Sequence, residues 1–289
     1  MNKNKIYHVG FAIPAVIFYT VLFMLPVVLN FFYSFTNWNA IKLTGETAKF
    51  IGLDNFRKIF SDPALYGIIL RTIWYALVTT VFKNVLGFLL ALGLHEGLKT
   101  KQLLRATFFL PSMLSPLIIG LMFGTLLMPT GFFNQLLTAI GIPCDIAWTT
   151  TASTALGSVM AVDIWKQMGY NMVIYLAGLQ LIDGSYYEAA SMDGANAFQK
   201  LIFITLPRMV PSIVINLLLN VSQSLKTFDL VYVITNGGPN GASELINTMV
   251  FKQFGQKMYG MSAAYGVIIF VITAIFGFFI LNIKDDADN

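Results

Sequence analysis

The sequence predicts an all-α integral membrane protein of six transmembrane helices, and three observations carry that reading. The chain of 289 residues is 56% hydrophobic and only 11% charged, with a mean hydropathy of +0.71. A soluble globule of this size carries about a quarter of its residues as charges. Six apolar blocks occur, at 9–34, 73–94, 106–128, 155–181, 210–233 and 263–283, each near the ~20 residues that cross ~30 Å of hydrocarbon at ~1.5 Å per residue. The blocks are continuous rather than alternating in polarity, and in lipid only helices or closed barrels satisfy every backbone hydrogen bond. A single helical membrane domain over 1–289 follows.

Each block has its own reading. The first follows a basic start, MNKNKIYHVGF, of the kind that opens a signal peptide. No small-x-small cleavage site interrupts the apolar run to Phe35, so it reads as an uncleaved first helix. Pro14, Pro26, Pro111 and Pro116 fall inside blocks or near their ends and predict kinked or broken helices. The second block holds Lys83 beside Asn84. With no acid nearby, this lysine needs a partner across the bundle, a cavity or a route to the interface. In the fourth block Asp163 and Lys166 stand three apart, as do Lys226 and Asp229 further on, and each pair is expected to neutralise itself along one helix face. Trp165, Tyr170, Phe228 and Tyr232 suit packing and interfacial belts, or stacking on a sugar ring.

The fifth block carries a polar stripe. Ser212, Asn216, Asn220, Gln223 and Thr227 recur at spacings of three or four, which places them on one helix face. Such a neutral face can line a wet path, where a solute's hydroxyls exchange water for amide partners, hold helices together by hydrogen bonds, or do both. As a candidate substrate path it comprises Asn216, Asn220, Gln223 and Thr227.

Several function classes are excluded. The net charge of +4 is scattered between apolar blocks, without the run or stripe that binds nucleic acid. His8 and His95 are isolated at block ends and make no metal site. Cys144 is the only cysteine, so no intramolecular disulfide forms. No GxxxxGK[ST] phosphate loop, nucleophile or carboxylate pair presents itself outside the spans, so any energy must come from a partner.

The segment 185–207, SYYEAASMDGANAFQKLIFITLP, reads as a short helical hairpin on the membrane surface. Ser185 followed by Glu188 has the spacing of a capping box. Gly194 is suited to a left-handed helix stop, and Asp193 to capping the next helix. That helix carries Ala197, Leu201 and Ile204 on one face, and Pro207 marks entry to the fifth span. On these grounds alone the hairpin is either a docking element or a plain connector.

Glu188-Ala189-Ala190, three residues, Gly194, nine residues, then Ile204-Thr205-Leu206-Pro207 resembles the EAA loop of binding-protein-dependent ABC importer permeases. The resemblance implies that this loop is a cytoplasmic coupling helix docked in a cleft of a separate ATPase, with Glu188, Ala189, Ala190, Asp193 and Gly194 at the contact. Ile51-Gly52-Leu53-Asp54-Asn55-Phe56 with Asp62-Pro63, Leu176-Ala177-Gly178-Leu179-Gln180, and Thr235-Asn236-Gly237-Gly238-Pro239 are similar to the carbohydrate-uptake branch. The last resembles the subunit related to the larger maltose permease and the glycerol-phosphate permease.

What this implies is a six-helix permease subunit for a sugar or oligosaccharide. It would work with a second, different permease, an ATPase dimer that holds ATP and Mg²⁺, and an extracytoplasmic solute-binding protein; the chain itself holds no cofactor. A permease for a sugar phosphate or polyamine is the alternative within transport, and an ATP-independent secondary transporter the alternative outside it.

Orientation follows from the even span count together with the EAA resemblance, which implies a cytoplasmic loop at Glu188; the basic residues of the short loops point the same way with a slight excess. Both termini and Glu188 are expected on the cytoplasmic side of a bacterial-type cytoplasmic membrane, with Asp54 and Gly238 outside. Single cysteines introduced after replacement of Cys144 check this: positions 54 and 238 should label from outside, and labelling of position 54 from the cytoplasm alone overturns it.

Overall fold

A computed structural model describes residues 12–39, 48–95, 99–143 and 145–288, with side chains as far as 282. Expectations placed on the basic start MNKNKIYHVGF, on His8 within it and on Cys144 lie outside the described residues. Among the described residues the structure is helical, with one isolated antiparallel bridge, Thr36 to Phe50.

The helices in chain order are α1 (Ile13–Tyr19), continued through a π turn at Thr20–Met24 into α2 (Leu25–Ser34); α3 (Asp54–Ser61); α4 (Pro63–His95); α5 (Lys101–Met113); α6 (Pro116–Leu126); α7 (Phe132–Ala139); and α8 (Ala152–Gln180). Then come α9 (Gly184–Met192); α10 (Ala197–Lys200), continued through a π turn at Leu201–Thr205 into α11 (Leu206–Leu225); α12 (Asp229–Ile234); α13 (Ile246–Gly255); and α14 (Tyr259–Asp288).

Among the described residues, four helical stretches are long and apolar enough to cross a membrane: Ile13–Ser34, Pro63–His95, Ala197–Leu225 and Tyr259–Asn282. The pair α5 and α6 makes a fifth if counted as one span. α8 is as long as these, but the polar residues it buries, Asp163, Lys166 and Asn171 among them, keep it outside that set. The count of six read from the sequence therefore stands at four or five by length and apolarity.

Two further boundaries differ from the sequence reading. The block 106–128 is not one rod: α5 and α6 meet at 96°. Leu114 and Ser115 are extended, with ψ of 145° and 137°; for Ser115 the reason is that the residue before a proline avoids the helical region. Ser115 then caps Leu117 N–H at 3.3 Å, with Pro116 at the first helical position. The fifth helix runs earlier than 210–233. It begins at Ala197 and stops at Leu225, so Pro207 sits inside the continuous stretch, just beyond the π turn.

Contacts gather into two units. The first comprises Met1–Tyr66 with Met249–Phe270, and the second Gly67–Thr248 with Val271–Asn289. In the first unit the stretch Ile13–Ser34 has its apolar side chains exposed, as suits a helix surrounded by lipid or another membrane chain. Asn55 Nδ2 donates to Ser34 O at 2.8 Å and Thr36 O at 2.9 Å, which closes the loop after this helix.

In the second unit α8 is the central rod, packed by α5 and α11. One apolar cluster gathers Tyr75, Ile119, Val159 and Val231, and another gathers Ala91, Met172, Tyr175 and Met209. Close approach is set by Gly87 against Asn171 and Gly169 against the Phe108 carbonyl, where a Cβ would collide with the neighbouring helix. Arg105 donates to Leu94 O at 2.7 Å, satisfying a carbonyl at the end of α4.

The expected pairing of Asp163 with Lys166 is not what forms. Asp163 Oδ2 accepts from Lys83 Nζ at 2.7 Å and from the Tyr75 hydroxyl at 2.7 Å. Lys83 also donates to Ser224 Oγ at 3.2 Å, and Thr79 Oγ1 lies 2.9 Å from Ser224 Oγ. The i, i+3 spacing permits a local pair, but the carboxylate points across to α4. Lys83, at 1% exposure, thus finds its partner across the bundle. α4, α8 and α11 are tied by one polar network.

Removing one partner strands a buried charge, whereas removing both does not. Lys83→Met should cost ~3–5 kcal/mol of stability, and Lys83→Met with Asp163→Leu should recover most of that. Thermal unfolding of the purified protein in detergent measures both. A double variant no better than the single one contradicts the ion-pair account.

Candidate functional site

Two places concentrate chemistry in the second unit. The first is a cavity of about 370 Å³ walled by α4, α8, α11 and the start of α12. Lys83, Asp163 and Lys166 line it together with Gln223, Thr227 and Phe228. The volume falls within the range of small-molecule sites. Gln167 Nε2 donates to Gln223 Oε1 at 3.0 Å, bridging α8 and α11 at the wall. Phe228 is stacked on Tyr232 with ring centres 5.1 Å apart, while Trp165 is spent on packing against Phe123.

The polar stripe of the fifth helix divides here. Asn216 and Asn220, at 0% and 3% exposure, face α8. Asn220 Nδ2 donates to Asn171 Oδ1 and to Asn216 O, and Asn216 Nδ2 lies 3.4 Å from Asn171 O. Gln223 and Thr227 face the cavity. Thr227 is not on the helix, because α11 ends at Leu225 and Lys226 follows with a non-helical ψ of 6°. The same ending separates Lys226 from Asp229, which begins α12. They do not share a helix face as the spacing suggested, and no ion pair joins them among the described residues. Asn247 Nδ2 instead donates to Lys226 O at 2.6 Å.

The second place is the hairpin of α9 and α10. The helix begins one residue before Ser185, and Asp183 caps it: the carboxylate accepts from Ser185 N–H at 2.9 Å. That bond holds the Asp183 carboxyl below its ordinary range. The expected Ser185 and Glu188 box does not form, because Asp183 already occupies the N-cap. Gly194 adopts φ +78° and ends the helix, with Ala195 N–H donating to Ala190 O at 2.8 Å, as in a Schellman closure. The next helix is capped by Asn196 rather than Asp193, in a full capping box with Gln199.

Local bonds hold the hairpin on the fifth helix. The Tyr187 hydroxyl is 2.9 Å from Thr205 Oγ1, Lys200 Nζ donates to Ser191 Oγ at 2.7 Å, and the Arg208 guanidinium lies 3.9 Å above the Tyr186 ring. α9 buries none of its residues. Met192 is 89% exposed and Phe198 is exposed as well, and Glu188 makes no hydrogen bond or ion pair among the described residues. Glu188, Ala189, Ala190, Asp193 and Gly194 are brought together on this projecting element. Sequence reasoning missed Lys166, Asn171 and Asp183 as members of these sites. Lys166 stands out only as half of a self-neutralising pair and Asn171 lacks any signal without knowledge of neighbouring helices, whereas Asp183 two residues before Ser185 is itself an N-cap signal.

Residues 83–285 match the family described as a binding-protein-dependent transport system inner membrane component. The chain is similar to the probable ABC transporter permease protein YurN of Bacillus subtilis, with 33% identity over 94% of each chain. It is also similar to the multiple sugar-binding transport system permease protein MsmF of Streptococcus mutans, with 32% identity over 97% of this chain and 95% of that one. A chain from the crystal structure of a bacterial ABC transporter involved in the import of the acidic polysaccharide alginate superposes with a TM-score of 0.82 at 23% identity. It covers 96% of this chain and 94% of that one; at this identity the likeness is one of fold.

The division of the stripe has a measurable consequence. Asn220→Leu strands Asn171 in the interior and should cost about 1–3 kcal/mol, whereas Gln223→Leu at the cavity wall should change stability by no more than about 0.5 kcal/mol. Melting temperatures of the two variants in the same detergent decide it. Equal losses contradict the division.

Proposed function

The chain belongs to the family of binding-protein-dependent transport system inner membrane components, and from that premise we propose that it is one of two permease subunits of an ATP-driven importer for a carbohydrate. The family match carries the reading, and the sugar-transport name of the Streptococcus mutans relative supports the substrate class. A solute-binding protein delivers the sugar at the external face. A second, different permease completes the path. Two ATPase subunits hold ATP and Mg²⁺ and close against the cytoplasmic face, where both termini of this chain also lie.

Each part of the chain has a role in this proposal. Gln223, Thr227 and Phe228 line the passage and offer a sugar what it needs, hydroxyl partners and an apolar ring face. Asn216 and Asn220 act one turn away, fixing α11 on α8 so that the lining residues are correctly presented. The hairpin couples the bundle to the ATPase. Met192, Phe198 and the unpaired Glu188 form an exposed patch of mixed character, and a well-capped helix with its apolar residues turned outward suits a protein cleft. The chain has no phosphate loop of its own, so energy enters through that contact.

Gly194→Val tests the coupling role. A β-branched residue at positive φ costs ~1–2 kcal/mol, and the shifted hairpin should lower both ATPase co-purification and sugar-stimulated ATP hydrolysis about tenfold, with the melting temperature of the permease maintained. Glu188→Lys should act in the same direction through charge reversal alone. Normal assembly and hydrolysis in both variants would make the hairpin a connector. Uptake driven by an ion gradient, with this chain alone in vesicles, would replace the importer reading by a secondary transporter.

A further inference from the structure

The cavity holds a charge that the chain does not answer. Three lysines, Lys83, Lys166 and Lys226, face two aspartates, Asp163 and Asp229, across its wall, which leaves one positive charge in excess. The five are not equivalent. Lys83 and Asp163 are closed on each other at 2.7 Å, and Asp163 is further engaged by Tyr75. Lys226 and Asp229 are exposed at the mouth, where water screens them. Lys166 is only 6% exposed and makes no hydrogen bond or ion pair among the described residues; Asp163 attracts it from three residues away while Lys83 repels it, and that carboxylate is already closed on Lys83.

A lysine that must share its one carboxylate with a second lysine is poorly compensated. Here the missing partner has room, because Lys166 lines an open space rather than packed side chains. Beside it, the Gln167 and Gln223 amides, linked at 3.0 Å, and the Thr227 hydroxyl offer donors and acceptors, and Phe228 offers an apolar face. A simple anion leaves most of these groups idle. A neutral sugar uses them but leaves Lys166 unpaired.

We propose that this cavity recognises a carbohydrate bearing an anionic group, with Lys166 as the residue that pairs with the anion and thereby sets specificity. The proposal rests on the importer reading above and names the substrate class within it. Carboxylate and phosphate supply the same chemistry, so both are tested.

The experiment uses the assembled importer in nanodiscs. Equilibrium binding of radiolabelled trigalacturonate, glucose 6-phosphate and the neutral galactotriose is measured for the wild type, Lys166→Gln and Lys166→Arg. One anionic probe should bind the wild type more tightly than galactotriose. Lys166→Gln should weaken it about tenfold or more, as expected for loss of a charged hydrogen bond, and leave galactotriose within about twofold. Lys166→Arg should retain the preference. Trigalacturonate as the tighter probe identifies an acidic sugar, and glucose 6-phosphate a sugar phosphate. The wild-type comparison stands even if a variant fails to assemble.

Galactotriose binding as well as the anions, or no binding by any probe, overturns the proposal. Import of the same probes into proteoliposomes separates the two levels. ATP-driven import of galactotriose but of neither anion removes only the anionic specificity, whereas import of spermidine in place of every sugar removes the carbohydrate reading as well.

Discussion

A lysine at 1% exposure is held where α4, α8 and α11 meet, and the second unit is arranged around that fact. Lys83 is tolerable there only because the carboxylate of Asp163 lies within hydrogen-bond reach and Tyr75 and Ser224 take up further valences. The three helices therefore cannot slide past one another by a turn without stranding a charge. In a bundle surrounded by apolar material, where packing alone drives association weakly, such a bond fixes register. Gly87 lets α4 and α8 come close enough for it to form.

With register fixed, the rest of the polar inventory is sorted by direction. Along α11, Asn216 and Asn220 point at Asn171 on α8 and complete a second tie; Tyr175 of α8 donates to Asn84 of α4 and extends it. Residues a further turn along, Gln223 above all, arrive at a wall with space in front of it. One stripe with a uniform sequence signature thus serves two ends. The sequence left room for lining and adhesion together, and the fold sends Asn216 and Asn220 to helix contacts and Gln223 to a cavity wall.

What was legible follows from the range of the interactions. The apolar blocks, the left-handed stop at Gly194 and the break ahead of Pro116 are decided by residues a few positions apart, and the sequence displays them directly. The family pattern of 188–207 is likewise local. Lys83 and Asp163 are 80 residues apart; the sequence shows that each needs a partner, but cannot rank a neighbour three positions away against a carboxylate on another helix. The same limit applies to Lys166, whose isolation exists only because Asp163 turns elsewhere. The 96° bend lies between these cases. Prolines announce a break, while its angle depends on what α6 packs against, and that is α12.

The hairpin and the cavity share one helical rod. Ala197–Leu225 is continuous for 29 residues, about 43 Å at 1.5 Å per residue. α9 is fastened to its first turns through Tyr187, Ser191 and Tyr186. Near the other end Ser224 joins the buried network, and Gln223 faces the cavity one residue before it. On the coupling role proposed for the hairpin, a displacement of α9 is delivered to α11 as a whole, since a hydrogen-bonded helix bends far less readily than a loop. The place where it yields is the π turn at Leu201–Thr205, where the regular ladder is already interrupted and Thr205 Oγ1 lies 3.3 Å from Lys200 O. A force applied at the hairpin therefore has two outlets. It either flexes that turn or moves the wall that carries Gln223, and the Lys83–Asp163 bond, by holding the far end of α11 on α4 and α8, decides how stiffly the wall resists.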